Sequence, residues 1–242
     1  MEKKSRGQNC FISGKKYQTN TCKILNTLED KDGVKYRAIE VEGAKAGADI
    51  TLVSHSNIGL ETKDEGAFEG GCVKMTYNDN NKRLEFPAEA GLHASILGDN
   101  IIYEGMNLPW YEGKKTIEDW KAVENVFNKD VYFPASDNAV SEYYRKSGVS
   151  YIQIEKKGLY HTSIDNLHLD VPYFNCPETQ LRIRSTKHKR KDGICTDITA
   201  ALQYNKRKLI KSPYSLDPDG VLPPTMKKSL LPVTVPLPVA VE

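Results

Sequence analysis

No stretch of the 242-residue chain approaches the roughly 20 consecutive apolar residues that a membrane-crossing helix needs. Met1-Glu2-Lys3-Lys4-Ser5 runs on into polar residues where a secretory leader would have its apolar segment. Cysteine is scarce: the five, at positions 10, 22, 72, 176 and 195, are odd in number and form no CxxC pair. That argues against a disulfide framework and against a zinc knuckle, and leaves buried free thiols as their expected role. Charge of one sign is not in excess either, with 34 Lys and Arg against 32 Asp and Glu and a net charge of +2. What remains is a soluble, intracellular chain, long enough to bury a core without staples and free of visible internal repeats.

The near-balance of charge breaks down locally. From Leu181 to Lys211 there are ten basic residues against Asp192 and Asp197, a local charge of +8, so the rest of the chain carries −6. Lys and Arg that neutralise phosphates release condensed counterions, so such a segment suits a polyanion; a solvated basic loop is the bland alternative. Leu181-Arg182-Ile183-Arg184 alternates like a strand with two guanidinium groups on one face. Lys187, Lys189, Arg190 and Lys191 then lead into the turn signal Asp192-Gly193. The spacing predicts a basic hairpin able to lie against a nucleic-acid groove.

Hydrophobic periodicity predicts a mixed α/β protein. Lys15–Leu28 has Tyr17, Thr21, Ile24, Leu25 and Leu28 near helical spacing. Val34–Glu42, Asp49–Val53 and Asn57–Lys63 read as a three-strand meander. Residues 66–77 and 116–127 read as helices, the second opened by Thr116 with Asp119 in a capping-box-like arrangement. A helix from Ser136 to Lys146, closed by Ser147-Gly148, leads into the strand Val149–Glu155. The last 26 residues hold six of the twelve prolines, so residues 217–242 read as an extended arm. Val235, Leu237, Val239 and Val241 share one face of that arm and suit packing on the body or on a second subunit. The expected division is a core over 1–155, a basic elaboration over 156–216 and the arm over 217–242.

One constellation could carry chemistry. Asp49 opens one expected strand, and Glu61 and Lys63, two apart and therefore on one face, lie on the next. Two carboxylates can hold Mg²⁺ and leave coordination positions for water and phosphate oxygens, while a lysine beside them can orient water or stabilise developing charge. Gly59, Glu61 and Lys63 would line a cleft with little bulk at its near end. The geometry makes a demand. If the hairpin closes flush on His55-Ser56, Asp49 falls opposite Thr62. A three-residue loop, Ser54 to Ser56, sets it opposite Glu61 instead.

Asp49 followed by Glu61-Thr62-Lys63 resembles the PD-(D/E)xK motif of the restriction-endonuclease-like nuclease superfamily. The order helix, three-strand meander, helix, strand resembles that superfamily's core over about residues 15–155. The resemblance implies a mixed α+β sheet with C-terminal elaborations. It also implies a metal-dependent endonuclease, most like a type II restriction enzyme, with Asp49 and Glu61 as Mg²⁺ (or Mn²⁺) ligands and Lys63 as catalytic lysine. Ala48 stands where the family often has proline. The first helix offers Gln18 where many members have a ligating glutamate. Double-stranded DNA would be the partner, and symmetric cleavage would call for a homodimer. A repair, recombination or RNA nuclease of the same fold, and a non-catalytic nucleic-acid-binding protein, are the alternatives.

Several other residues compete for attention. Glu155/Lys157 repeats the acid-x-lysine spacing on a convincing strand, but its nearest upstream aspartate, Asp137, lies beyond a helix. Gln153 could point into the same cleft as Glu155. His161, Asp165, His168 and Asp170 could form a metal site, with turn chemistry the simpler account. Tyr143, Tyr144, Tyr151, Tyr160 and Tyr173 could stack on bases or pack in the core.

Overall fold

The structure is a computed structural model that describes residues 6–41, 47–65, 69–78, 83–98, 130–190 and 193–229. The side chains of 6–11, 77–78, 83–84, 89 and 185–197 are excepted. The chain divides into two units, each assembled from separated stretches: 1–67, 144–175 and 209–242 form one, and 68–143 with 176–208 form the other. This division differs from the linear partition at 155 and 216 because strands far apart in sequence pair with one another. No helix among the described residues is long and apolar enough to cross a membrane.

The first unit starts with α1 (Arg6–Leu25), longer at its N-terminus than the periodicity predicts and three residues shorter at its end. Leu28 leaves the helix for β1 (Leu28–Glu29). A five-stranded sheet follows, built from β2 (Ala38–Glu40), β3 (Ile50–Leu52), β4 (Ile58–Lys63), β8 (Val149–Ile154) and β9 (Gly158–His161), in that spatial order. All neighbours are antiparallel except β4 and β8, which run parallel. A parallel pair needs a crossover. The chain between β4 and β8 contains the first stretch of the second unit, 68–143, and α3 (Ala139–Lys146), which begins in that stretch, ends in the first unit and delivers the chain to β8. Gly148, at φ +80°, makes the turn out of α3.

Ile50, Leu52, Leu60, Tyr151 and Leu159 are fully buried with Leu25, Leu28, Tyr36 and Cys22, which puts the hydrophobic core on the α1 face of this sheet. Of the Pro-rich arm, residues 217–229 pack on the same unit. Met226 enters the core, β12 (Lys227–Lys228) pairs with β1, and the Ser229 amide donates to the Thr27 carbonyl at 2.8 Å. The stripe Val235 to Val241 lies outside the described residues.

The second unit is an antiparallel sheet in the order β6 (Arg83–Glu85), β5 (Glu69–Asn78), β11 (Gly193–Gln203), β10 (Gln180–Arg190), β7 (Val131–Pro134), with α2 (Gly91–Leu97) beside it. The expected helix over 66–77 is the strand β5. Two glycines weaken a helix there, Val, Thr and Tyr favour a strand, and Gly71 at φ +62° lies under the Tyr143 ring where a Cβ would come within 2.9 Å. The expected helix over 116–127 lies outside the described residues. The basic hairpin is present: β10 pairs with β11 from Gln180↔Gln203 out to Arg190↔Gly193.

Candidate active site

The β3–β4 connection sets the site. The register runs Leu52↔Ile58, Thr51↔Gly59, Ile50↔Leu60, and one step further brings position 49 across from Glu61. This is the register expected for a loop over Ser54–Ser56 and not that of the flush closure, although the pairing ends at Leu52↔Ile58 and the turn spans 53–57. Ser56 and Asn57 both adopt φ +57°, which lets the chain reverse within so few residues. The loop is pinned from outside: His55 stacks on Tyr36 at 4.2 Å between ring centres, and the Ser54 Oγ accepts the Arg37 amide at 2.9 Å.

Asp49 sits in a bend just before β3, and its carboxylate reaches β4. Oδ2 accepts both the Thr62 amide and the Thr62 hydroxyl at 2.8 Å. The Asp49 carbonyl accepts Nε2 of the buried Gln18 from α1 at 2.7 Å. The hydrogen bonds that described residues make to this carboxylate all fall on Oδ2, which leaves Oδ1 with open acceptor capacity. Glu61 is 9% exposed and ion-paired with Lys63, whose ammonium lies 5.6 Å from the centre of the Tyr144 ring. Burial, and then the Asp49 charge, push the Glu61 carboxyl above its ordinary value, against the opposing pull of Lys63 and the Tyr144 hydroxyl. Burial works against the Lys63 charge, but Tyr144 and Glu61 outweigh it and keep the ammonium protonated.

Two carboxylates that repel each other, one with an oxygen that no described residue hydrogen-bonds, suit a hard divalent cation, which removes that repulsion. Among the described residues no cluster of three or more His, Cys, Asp or Glu could hold a metal. Asp49 and Glu61 are two carboxylates that could share such a cation, which would take the rest of its coordination from outside this pair.

Other expected site residues lie elsewhere. Gln153 pairs with Thr62 across the parallel register, so it belongs to the α1 face while Glu61 and Lys63 share the other with Ile152 and Ile154. It is fully buried, its Nε2 donating to Tyr17 Oη at 2.9 Å and Ser215 Oγ at 3.1 Å, and its Oε1 accepting the Leu216 amide at 3.0 Å. The space beside Gly59 is filled rather than open, because a Cβ there would stand 2.6 Å from the Gly148 carbonyl oxygen. Glu155 caps a turn by accepting the Glu65 amide at 3.1 Å. Asp165 accepts the Tyr151 hydroxyl at 2.6 Å and the Leu169 and Asp170 amides at 3.0 and 2.8 Å, which is turn chemistry. Tyr151 and Tyr160 are core residues at 1% exposure.

No protein-family model, curated protein or solved structure matches this chain. Two residues take roles that the sequence did not indicate. Thr62 holds the Asp49 carboxylate, a contact across two strands that its position between Glu61 and Lys63 does not signal. Tyr144, which the sequence suggests only for base stacking or the core, sits on α3 more than eighty residues from Lys63, and only the β4–β8 crossover brings it in.

In the second unit the basic face is partly committed. Arg182 donates through Nε to Asp130 at 2.8 Å and through Nη1 to Glu69 at 2.7 Å. Its guanidinium, which the sequence offers to a polyanion, is thus bound by two carboxylates within the unit. Arg184 pairs in register with Thr199, and Thr199 with Lys74, so Arg184 and Lys74 share a face two strands apart. Tyr132, 48% exposed, stands across from Arg182 on β7. Lys208 is ion-paired with Glu178. Lys187, Lys189 and Arg190 occupy β10 positions whose side chains lie outside the described ones, and Lys191 lies outside the described residues altogether.

Proposed function

We propose that this chain is a Mg²⁺-dependent endonuclease that hydrolyses phosphodiester bonds in double-stranded DNA, with a restriction-endonuclease-like core and type II-like site specificity. The observation that carries the reading is the β3–β4 register. Extended one residue past Ile50↔Leu60, it would bring position 49 opposite position 61, and the Asp49 carboxylate bonds Thr62, the residue between Glu61 and Lys63. The order of elements around the five-stranded sheet of the first unit supports it: a helix, three antiparallel strands and a fourth strand parallel to the third, reached from the crossover helix α3.

Asp49 Oδ1 and a Glu61 oxygen are the groups that would hold the cation. A bound divalent ion activates water and neutralises charge developing on phosphorus. Thr62 fixes the other Asp49 oxygen with two hydrogen bonds, so the carboxylate is oriented before any ligand arrives. Lys63, held protonated, donates to a phosphate oxygen and stabilises the developing charge. Tyr144 offers the ammonium an aromatic face while Glu61 is engaged elsewhere. Arg184 and the outer hairpin track the DNA backbone, and a homodimer would present two such sites to the two strands.

The test is plasmid DNA incubated with protein and Mg²⁺, then with Asp49→Ala and Lys63→Ala. Discrete fragments that disappear in both variants, by at least about 100-fold, are the expected result. Cutting that survives both substitutions refutes the site. Binding without cutting by the unaltered protein refutes the catalytic reading in favour of a binding module.

A further inference from the structure

The first unit contains a second site that the phosphodiesterase reading leaves unused. Tyr17, Asn20, Thr21 and Ile24 share one face of α1 and form one wall of a cleft of about 590 Å³. The loop 211–221 forms the other wall, and the β8–β9 turn closes one end. That volume is within the range of small-molecule sites. The walls are fixed in place. Tyr17 donates to Asp217 Oδ1 at 2.7 Å, the Lys156 amide donates to Asp217 Oδ2 at 2.9 Å, and Gly158 lets the turn approach the loop so closely that a Cβ would stand 2.5 Å from the Tyr214 carbonyl oxygen.

Thr21 is the anomaly. It is 1% exposed, it lines this cleft, and its Oγ1 has no hydrogen-bond partner among the described residues. Folded proteins seldom leave a buried hydroxyl unsatisfied, and the isosteric valine would avoid the desolvation cost. A hydroxyl retained under those terms is suited to a ligand that completes its bonding.

The cleft's uncommitted groups indicate the ligand's chemistry. The exposed Asn20 amide and the Lys211 ammonium, which has no ion-pair partner among the described residues, join Thr21 as available donors. Both Asp217 oxygens are already taken. Ile24, Leu216 and Val221 offer aliphatic contact, and Asp219 at the rim can accept from a sugar hydroxyl. A flat, acceptor-rich ring gripped by aliphatic side chains, carried on a hydroxylated sugar with a phosphate near Lys211, matches this set.

We infer that the cleft binds one nucleotide unit, with Thr21 and Asn20 on the base and Lys211 on the phosphate. The source is either a free mononucleotide or an unpaired nucleotide in a strand. The second source is reasonable because Glu155 and Lys156 directly follow Ile154, the register partner of Lys63. The cleft thus lies at the same end of the parallel β4–β8 pair as the candidate active site, on its α1 side.

The experiment is a calorimetric titration of the intact protein, metal-free, with dAMP, dCMP, dGMP and dTMP, and with a short single-stranded oligonucleotide. It is run on the unaltered chain, Thr21→Val and Lys211→Gln. Thr21→Val is expected to weaken binding about fivefold while melting at the same or a higher temperature, a combination that a purely structural role would not produce. Lys211→Gln, on an exposed residue, is expected to weaken it about tenfold and decides the matter if Thr21→Val fails to fold. Mononucleotide binding identifies the free ligand as sufficient, and oligonucleotide binding alone identifies the strand; either supports the inference. No binding of any probe at millimolar concentration, or equal binding by all three proteins, overturns it. Plasmid cleavage and mononucleotide binding are separate readouts on the unaltered chain, so the failure of either leaves the other to be judged on its own.

Discussion

At the scale of the residue, the candidate site depends on how Asp49 is held. Thr62 reaches its carboxylate through both main chain and side chain. Thr62→Val removes one of those donors and keeps the shape. It should cost about 1–2 kcal/mol of stability and lower cleavage several-fold, with fold retained by circular dichroism. Unchanged cleavage would show that Asp49 needs no such orientation. Glu61 leads to a pH prediction. Its folded carboxyl titrates above the ordinary 4.5, through burial and the Asp49 charge, so the folded protein binds this proton more tightly than the unfolded chain. Stability from the protonated form is present below the unfolded value and is lost as pH rises through the raised one. Melting of the metal-free protein should therefore decline as pH climbs from about 4.5, and Glu61→Gln should remove that component. An identical pH profile in Glu61→Gln would contradict the assignment.

At the scale of the element, the parallel β4–β8 pair decides what can meet. Its close approach depends on Gly59, where an added Cβ would meet the Gly148 carbonyl at 2.6 Å and the Ala48 Cβ at 3.0 Å. Gly59→Ala should destabilise the protein by about 1–3 kcal/mol, read from the denaturant midpoint. An unshifted midpoint would mean that β8 adapts at no cost. The meander and the crossover helix were legible in the sequence because their apolar spacing and their glycine stops agree. β5 was not: its Gly70-Gly71 reads as a break, whereas Gly71 is a packing contact beneath Tyr143. The opposite-face position of Gln153 was equally hidden, since a one-residue register choice between β4 and β8 sets it.

For the whole molecule, the distribution of charge matters more than its sum. The +8 stretch falls largely in the second unit, while Asp49 and Glu61 belong to the first. If the basic residues engage about six phosphates, DNA affinity should fall by roughly three orders of magnitude between about 50 and 200 mM salt. A filter-binding or anisotropy series checks this, and a flat salt dependence would remove the basic face from the interface. Within that series Arg184→Ala should weaken binding. Arg182→Ala should act chiefly on stability, by about 3 kcal/mol, because it strands the Glu69 and Asp130 carboxylates.

The sequence by itself determined the first helix, the meander and the crossover helix, the basic arm over 182–191 turning at Asp192-Gly193, and the acid-x-lysine triplet standing in a strand next to an aspartate. These are local properties, written in periodicity, turn residues and spacing. Tertiary structure alone decided the β3–β4 register and the bonds that tie the Asp49 carboxylate to Thr62, the ion pairs that commit Arg182, the arrival of Tyr144 beside Lys63, and the Thr21 hydroxyl without a partner among the described residues. Each of those depends on contacts between residues distant in the chain, where a shift of one position in pairing moves every side chain to the other face of the sheet.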